Sequence, residues 1–429
     1  MNAVVRVQEV AAEQPDTLAG SGLDAPAPGE QLATYALELR GWAIGEAEPA
    51  VEAEVMHDGQ ALRRVPLDVS RPRLAATHPK ANGRTEIGFA TAQSALALPP
   101  GFELEIRAVL ESGGRAPMAL LRGTREPVRT GFETDLQPLM LTTLGRTGSM
   151  ALMRMLEAHP EVLVYRPHRY EQQVAGYWLD VLMTLSDPSS YMRQIAPAGN
   201  LENPLWWLGA DRPPPRLRDS DLQRWLGSEA LEQLARISQE RIAAVYDQIA
   251  KGADKPRARL FAEKHSLRTA ALGAELYPAS REVFLVRDFR DMVASIMDFN
   301  RRRGVEGFGR ADAAGDTEWI EGLAGWSTTL VRAWERRRDR AHLVRYEDLV
   351  QSPVETLAAL LDHIEVDSSP AQLDEMQAAL ATEMPELARH RTRSASESVG
   401  RWRADLPDDL QEACTTAFRE ALATFGYEP

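Results

Sequence analysis

Residues 138–159 read as a strand, a tight loop and a helix in immediate succession, and few folds accommodate that order. Residues 139–144 are an apolar run with no charge in it, the signature of a buried strand. In residues 150–158, Ala151, Met155 and Ala158 fall at helical spacing, and Pro160 stops the helix. Between them lie Gly145, Arg146, Thr147, Gly148 and Ser149. Glycine lets the backbone approach a ligand closely, and N–H groups at a helix N-terminus point at an anion. Two hydroxyls and a guanidinium bring side-chain donors to the same spot. The stretch reads as a phosphate cradle or, more plainly, as an ordinary strand-to-helix turn of an α/β domain. It is not a Walker A loop: no Gly-Lys-Ser/Thr follows, so the lysine and the Mg²⁺-holding hydroxyl are both missing.

An anion site in this chain has to be built locally, because the 429 residues carry a net charge of −14 at pH 7. That balance argues against general attraction to nucleic acid or anionic membranes. The length allows two or three domains, and 44% hydrophobic residues suffice for their cores. The one cysteine, Cys414, excludes an internal disulfide framework and a cysteine-rich metal site, and the eight histidines show no ligand spacing. The N-terminus has no signal-like apolar core, and no apolar run is long enough to span a bilayer. The expectation is a cytoplasmic protein without a membrane span.

Residues 1–30 are rich in Ala, Gly, Pro and Glu without a period, and read as a flexible leader. From 31 to 125 the pattern changes to period two: residues 51–55 and 102–111 alternate, with turn residues at 57–60 and 112–115. This predicts a small all-β, sandwich-like domain, a structural or acceptor-presenting module without concentrated chemistry. Residues 126–135 read as a linker. From 136 to 429 strands at 162–165, 259–262, 283–286 and 342–345 alternate with helices at 171–185, 269–276, 292–300, 318–338 and 354–364. That is an α/β domain, a P-loop-like parallel sheet flanked by helices, whose ligands bind outside the carboxyl ends of the strands. An insertion at about 188–255 carries Trp206, Trp207, three prolines at 213–215 and a long amphipathic helix at 228–250. It reads as a packed helical cap, its tryptophans either filling core or lining a lid over an acceptor.

A second anchor follows the strand at 283–286. Arg287 at its end and Ser295 in the first turns of the next helix can converge on one phosphate, with Asp288 as the N-cap. Arg287 can equally form a salt bridge to a nearby carboxylate. With this motif the sequence resembles the sulfotransferase family, enzymes that use 3′-phosphoadenosine 5′-phosphosulfate. Residues 144–149 are similar to the family's 5′-phosphosulfate loop, and residues 285–291 with Ser295 to its 3′-phosphate motif. Residues 344–349 with Pro353 resemble the strand and turn that follow, and residues 398–402 the segment that folds back over the nucleotide. The resemblance covers about residues 138–429. One departure is Met150, where many members carry a second hydroxyl; it removes one side-chain hydrogen bond, about 1.5–3 kcal/mol at most.

The resemblance implies transfer of a sulfonate group from that nucleotide to an acceptor hydroxyl, on a glycan or a small metabolite, by in-line displacement without a required metal. It implies that Arg146 and the N–H groups of Thr147, Gly148 and Ser149 hold the phosphosulfate, with Gly145 in the same nucleotide-binding loop. Arg287 and Ser295 grip the 3′-phosphate, and Gly400 and Arg401 add to that end. Residues 389–403 hold five arginines against one glutamate, an isolated basic stretch in an acidic chain. The acceptor must lose its proton to a base. Glu171 and His265 are equal candidates, with His168 behind, and Lys264 is the family's sulfonate-side lysine. Lys264 and His265 are adjacent, so in a regular strand they face opposite ways. Arg345, Glu347 and Asp348 read as structural supports. Two rivals stay open, a nucleotide-dependent phosphotransferase and a non-catalytic nucleotide-binding module. The expected partners are the nucleotide donor and a hydroxyl-bearing acceptor, with no nucleic acid; an oligomer is compatible with the sequence.

Overall fold

A computed structural model of the protein describes residues 3–166, 170–186, 225–381 and 394–428. Trp206, Trp207, the prolines at 213–215, most of the insertion, His168 and the arginines at 389–393 lie outside the described residues. The chain divides into two compact units. One comprises Met1–Phe132, Tyr177–Arg241 and Ala271–Leu276; the other comprises Glu133–Gly176, Ile242–Ala270 and Tyr277–Pro429.

The first unit is built on strands β1 (Val5–Ala12), β2 (Leu18–Ala25), β3 (Gln31–Leu32), β4 (Ala36–Gly45), β5 (Ala50–His57), β6 (Gln60–Pro66), β7 (Val69–Ser70), β8 (Glu86–Ser94), β9 (Gly101–Leu110) and β10 (Arg115–Arg125). They form one sheet in the order β3-β1-β10-β9-β5-β6 and a second in the order β2-β4-β8-β7. Every described pairing within them is antiparallel. One core joins both, with Val5, Val55, Leu104 and Leu121 of the first sheet packed with Leu37, Leu39 and Phe89 of the second. The flexible leader expected over residues 1–30 is replaced by β1 and β2. Val5 and Val7 face the core two residues apart, and β1 pairs with β10 along its whole length. The glycines of β2 hid that strand: Cβ atoms at Gly20 and Gly22 would meet the Trp42 ring at 3.1 and 2.8 Å, so the bare backbone makes room for the indole.

The second unit is an α/β sheet of β11 (Gln137–Thr143), β12 (Val162–Val164), β13 (Leu260–His265), β14 (Arg281–Val286) and β15 (Ala341–Arg345). All are parallel, in the order β12-β13-β11-β14-β15. The helices include α1 (Ser149–Ala158), α2 (Val174–Leu185), α3 (Ala230–Ala253), α4 (Leu267–Leu276), α5 (Phe289–Arg303), α6 (Asp316–Arg337), α7 (Tyr346–Gln351) and α8 (Pro353–Ile364), of which α2, α3 and α4 have residues in both units and the others lie wholly in the second. Side chains alternate across a strand, so the sheet has two apolar faces. Leu139, Leu141, Val283 and Leu285 pack with α1 and α8, whereas Phe284 and Val286 pack with α5 and α6. From β11 the chain goes to β12 and β13 on one side, then crosses to β14 and β15 on the other. The central strand therefore ends at a topological switch point, where such sheets bind ligands. Among the described residues no helix is long and apolar enough to cross a membrane.

Candidate functional site

The loop after β11 is shaped by two glycines. Gly148 caps α1 at φ 92°, and a Cβ there would lie 2.2 Å from the Tyr346 ring. A Cβ at Gly145 would lie 2.5 Å from the Phe308 ring. No side chain caps α1, which leaves the helix N-terminus as an anion-binding end. Thr147 is turned inward: its hydroxyl donates to Leu144 O at 2.9 Å and lies 2.5 Å from that of Thr143, which donates to Leu285 O at 2.8 Å. That side chain ties the loop to β14 rather than facing outward. Ser149 is buried as the first residue of α1.

Arg146, at φ 67°, sends its guanidinium across to α5. Its Nε donates to Ser295 Oγ at 3.2 Å, and its Cζ lies 4.9 Å from the centre of the Phe299 ring. Arg287, at the end of β14, donates from Nη1 to Arg146 O at 3.4 Å and from Nη2 to Ser398 O. Its guanidinium stacks 4.9 Å from the Tyr346 ring centre and lies 3.8 Å from the Asp291 carboxylate. Arg287 Nε is buried without a hydrogen-bond partner among the described residues. Arg401 completes the group, bonded to Asp298 at 3.1 Å and Asp405 at 2.7 Å. Burial first, then the charges of Arg287 and Arg401, push Arg146 down to about 10. Three strand and loop ends thus converge, and Arg146 meets Ser295, which the sequence had assigned to the opposite end of the nucleotide.

Asp288 caps α5 as expected, accepting from Arg290 N at 2.9 Å. Glu347 accepts from Asp288 N at 3.0 Å and from the Tyr427 hydroxyl at 2.7 Å, the supporting role read for it. Asp291 was not singled out in the sequence. It is buried and accepts from Gly400 N at 2.7 Å and Trp402 N at 2.9 Å. Burial raises it to about 6 against the pull of Arg287 and the two N–H groups. Tyr346 and Phe308 were missed too, since nothing in a sequence announces which ring will fill the space beside a glycine.

At the end of β13 the strand continues through His265, three residues beyond the apolar run that marked it. Lys264 and His265 therefore face opposite sides. Lys264 pairs with Glu171, whose side chain is 56% exposed, so two of the predicted residues meet directly. His265 is buried: its Nδ1 lies 3.1 Å from the Thr269 hydroxyl, and its Nε2 has no hydrogen-bond partner among the described residues. Burial pushes it down to about 4. Glu263 shares that face and accepts from Val174 N at 2.6 Å, Ala175 N and the Tyr246 hydroxyl. Burial raises it to about 7, opposed by those donors.

Several solved structures are similar to this chain. They include the sulfotransferase domain of the Synechococcus PCC 7002 olefin synthase, at 20% identity and a TM-score of 0.38 over 71% of this chain and 100% of that one. The sulfotransferase domain of the curacin biosynthetic pathway matches at 16% and 0.40, over 69% and 99%. A sulfotransferase from Alicyclobacillus acidocaldarius matches at 13% and 0.36, over 70% and 98%. No curated protein matches the sequence. Residues 138–370 match the sequence pattern of the sulfotransferase family. That match takes in β11, the glycine loop, Lys264 and Arg287, and extends over more than half the chain: the protein belongs to the sulfotransferase family.

Proposed function

We propose that the chain moves a sulfonate group from 3′-phosphoadenosine 5′-phosphosulfate to a hydroxyl of an acceptor. The observation that carries this reading is the convergence of Arg146, Arg287 and Arg401 beside an uncapped helix N-terminus. The N–H groups of residues 147–149 hold the 5′-phosphosulfate. Arg287, Ser295 and Arg401 hold the 3′-phosphate, with Gly400 supplying the turn before Arg401, and Arg146, bonded to Ser295, lends charge to both ends. Arg287 Nε, buried and unpartnered, is a donor that a phosphate oxygen satisfies.

In the transfer the acceptor oxygen attacks sulfur in line, and the bond from sulfur to the bridging phosphate oxygen breaks. The negative charge that builds on that oxygen falls among N–H groups and guanidinium in a buried place, where fixed donors are worth most. The acceptor proton goes to Glu171, and Lys264, its ion-pair partner, faces the sulfonate.

The test is a calorimetric titration with adenosine 3′,5′-bisphosphate, AMP and ATP on wild type and Arg287→Ala. The bisphosphate is expected to bind best, and Arg287→Ala to lose roughly ten- to hundredfold, the weight of a hydrogen bond to a charged group. Equal or tighter binding of ATP would move the reading to a phosphotransferase, bisphosphate binding without acceptor-dependent turnover to a non-catalytic nucleotide-binding module, and no binding at all would overturn the donor site.

A further inference from the structure

Asp291 lies one helical turn after Arg287 on α5 and is inaccessible to solvent. A carboxylate beside a site for anions repels them, so its presence among these arginines calls for a physical reason. Both of its oxygens are taken by backbone: Oδ2 by Gly400 N at 2.7 Å, Oδ1 by Trp402 N at 2.9 Å. Those two N–H groups flank Arg401. Gly400, at φ 70°, supplies the turn that aims both at one carboxylate. The same segment is held at Ser398, whose carbonyl accepts from Arg287 and whose hydroxyl lies 3.0 Å from that of Tyr346. Tyr346 in turn fills the space beside Gly148. A continuous chain of contacts therefore runs from the glycine loop through Tyr346 and Ser398 to the clamp on residues 400–402.

We propose that Asp291 is a positioning residue, which touches no part of the nucleotide but fixes residues 398–402 against α5, so that Arg401 is presented to the 3′-phosphate. This rests on the donor-site reading above. Asparagine at 291 keeps the shape but keeps one acceptor oxygen, and its amide meets an N–H donor to donor. Two roles then give opposite signs. If Asp291 acted only as a charge, Asp291→Asn would tighten anion binding; as a positioner it weakens it.

The experiment uses full-length wild type and Asp291→Asn, titrated with adenosine 3′,5′-bisphosphate and with AMP, which lacks the 3′-phosphate. The expected result is a loss of roughly tenfold for the bisphosphate, one charge-assisted hydrogen bond, and none for AMP. An unchanged or higher bisphosphate affinity overturns the proposal. If wild type itself binds the bisphosphate no better than AMP, the donor-site reading fails instead. Hydrogen exchange of wild type then tests the clamp without any variant. The amides of Gly400 and Trp402 are expected to exchange slowly although they lie at and just before the start of a four-residue helix, Trp402–Asp405, where no intrahelical carbonyl accepts them; fast exchange at both overturns it.

Discussion

At the scale of single residues, the glycine loop is the place where sequence and structure agree for a reason that can be stated. Gly148 was legible as a glycine that lets the backbone come close to a ligand, and the structure adds that it sits at φ 92°, in the left-handed region. Its neighbour was not legible. Tyr346 comes from a different strand end nearly two hundred residues away, and only the fold brings its ring to within 2.2 Å of where a Cβ at Gly148 would lie. Arg146 was readable as a cation but not in its direction, since its positive φ turns it toward Ser295. Gly148→Ala therefore combines two costs, backbone strain in the left-handed region and overlap with a buried ring, together on the order of 2–4 kcal/mol. Urea unfolding is expected to show that loss. The double variant with Tyr346→Ala is expected to lose less than the sum of the two single variants, because the overlap is removed once the ring is gone and only the strain remains; strictly additive losses would mean that the ring is not what the glycine accommodates.

Among elements, the strand-then-helix grammar of the second unit could be read because apolar runs sit at β11, β13, β14 and β15 and capping signals follow them. Asp288 starts α5 and Gly304, at φ 62°, ends it. What failed was the far end of β13. The sequence marks the strand at 259–262, with Glu263, Lys264 and His265 closing it, whereas the ladder with β11 continues through all three. The polar side chains are tolerated there because each has a local answer. The N–H groups opening α2 and the Tyr246 hydroxyl satisfy Glu263, Glu171 pairs with Lys264, and Thr269 meets His265. The alternation of the strand then separates the two candidate bases. Glu171 reaches the Lys264 side and is half exposed, whereas His265 is enclosed on the other side. Glu171→Gln is accordingly expected to lower kcat by roughly 10²–10⁴, the range of a general base, with little change in the KM of the donor. His265→Ala is expected to retain most of the turnover that its stability permits. Near wild-type kcat in Glu171→Gln would remove it from the mechanism, and a large loss in His265→Ala alone would transfer the role.

For the molecule as a whole, the buried pair on the inner side of β13 ties the site to stability, and pH is the lever. A bare stability curve says little here, because acid also neutralises self-repulsion across a chain of net charge −14. Differences between variants cancel that background. His265 is held down to about 4 by burial, against an ordinary 6.5. The unfolded chain therefore takes up a proton below pH 6.5 that the folded chain refuses, and the stability it contributes is intact above 6.5 and lost toward pH 4. Integrated over that window the loss is on the order of 3 kcal/mol. Glu263 has the opposite sign. Its folded value is raised to about 7 from 4.5, so its contribution is complete below 4.5 and is lost as the pH rises through 7. Relative to wild type, His265→Gln is expected to gain stability steadily from pH 7 to pH 4, and Glu263→Gln to lose it over the same range, in chemical unfolding at matched ionic strength. Parallel curves for all three proteins would mean that neither group is buried in the state it occupies here. The enclosed face of β13 would then be open to solvent, and His265 would regain an equal claim to the acceptor's proton.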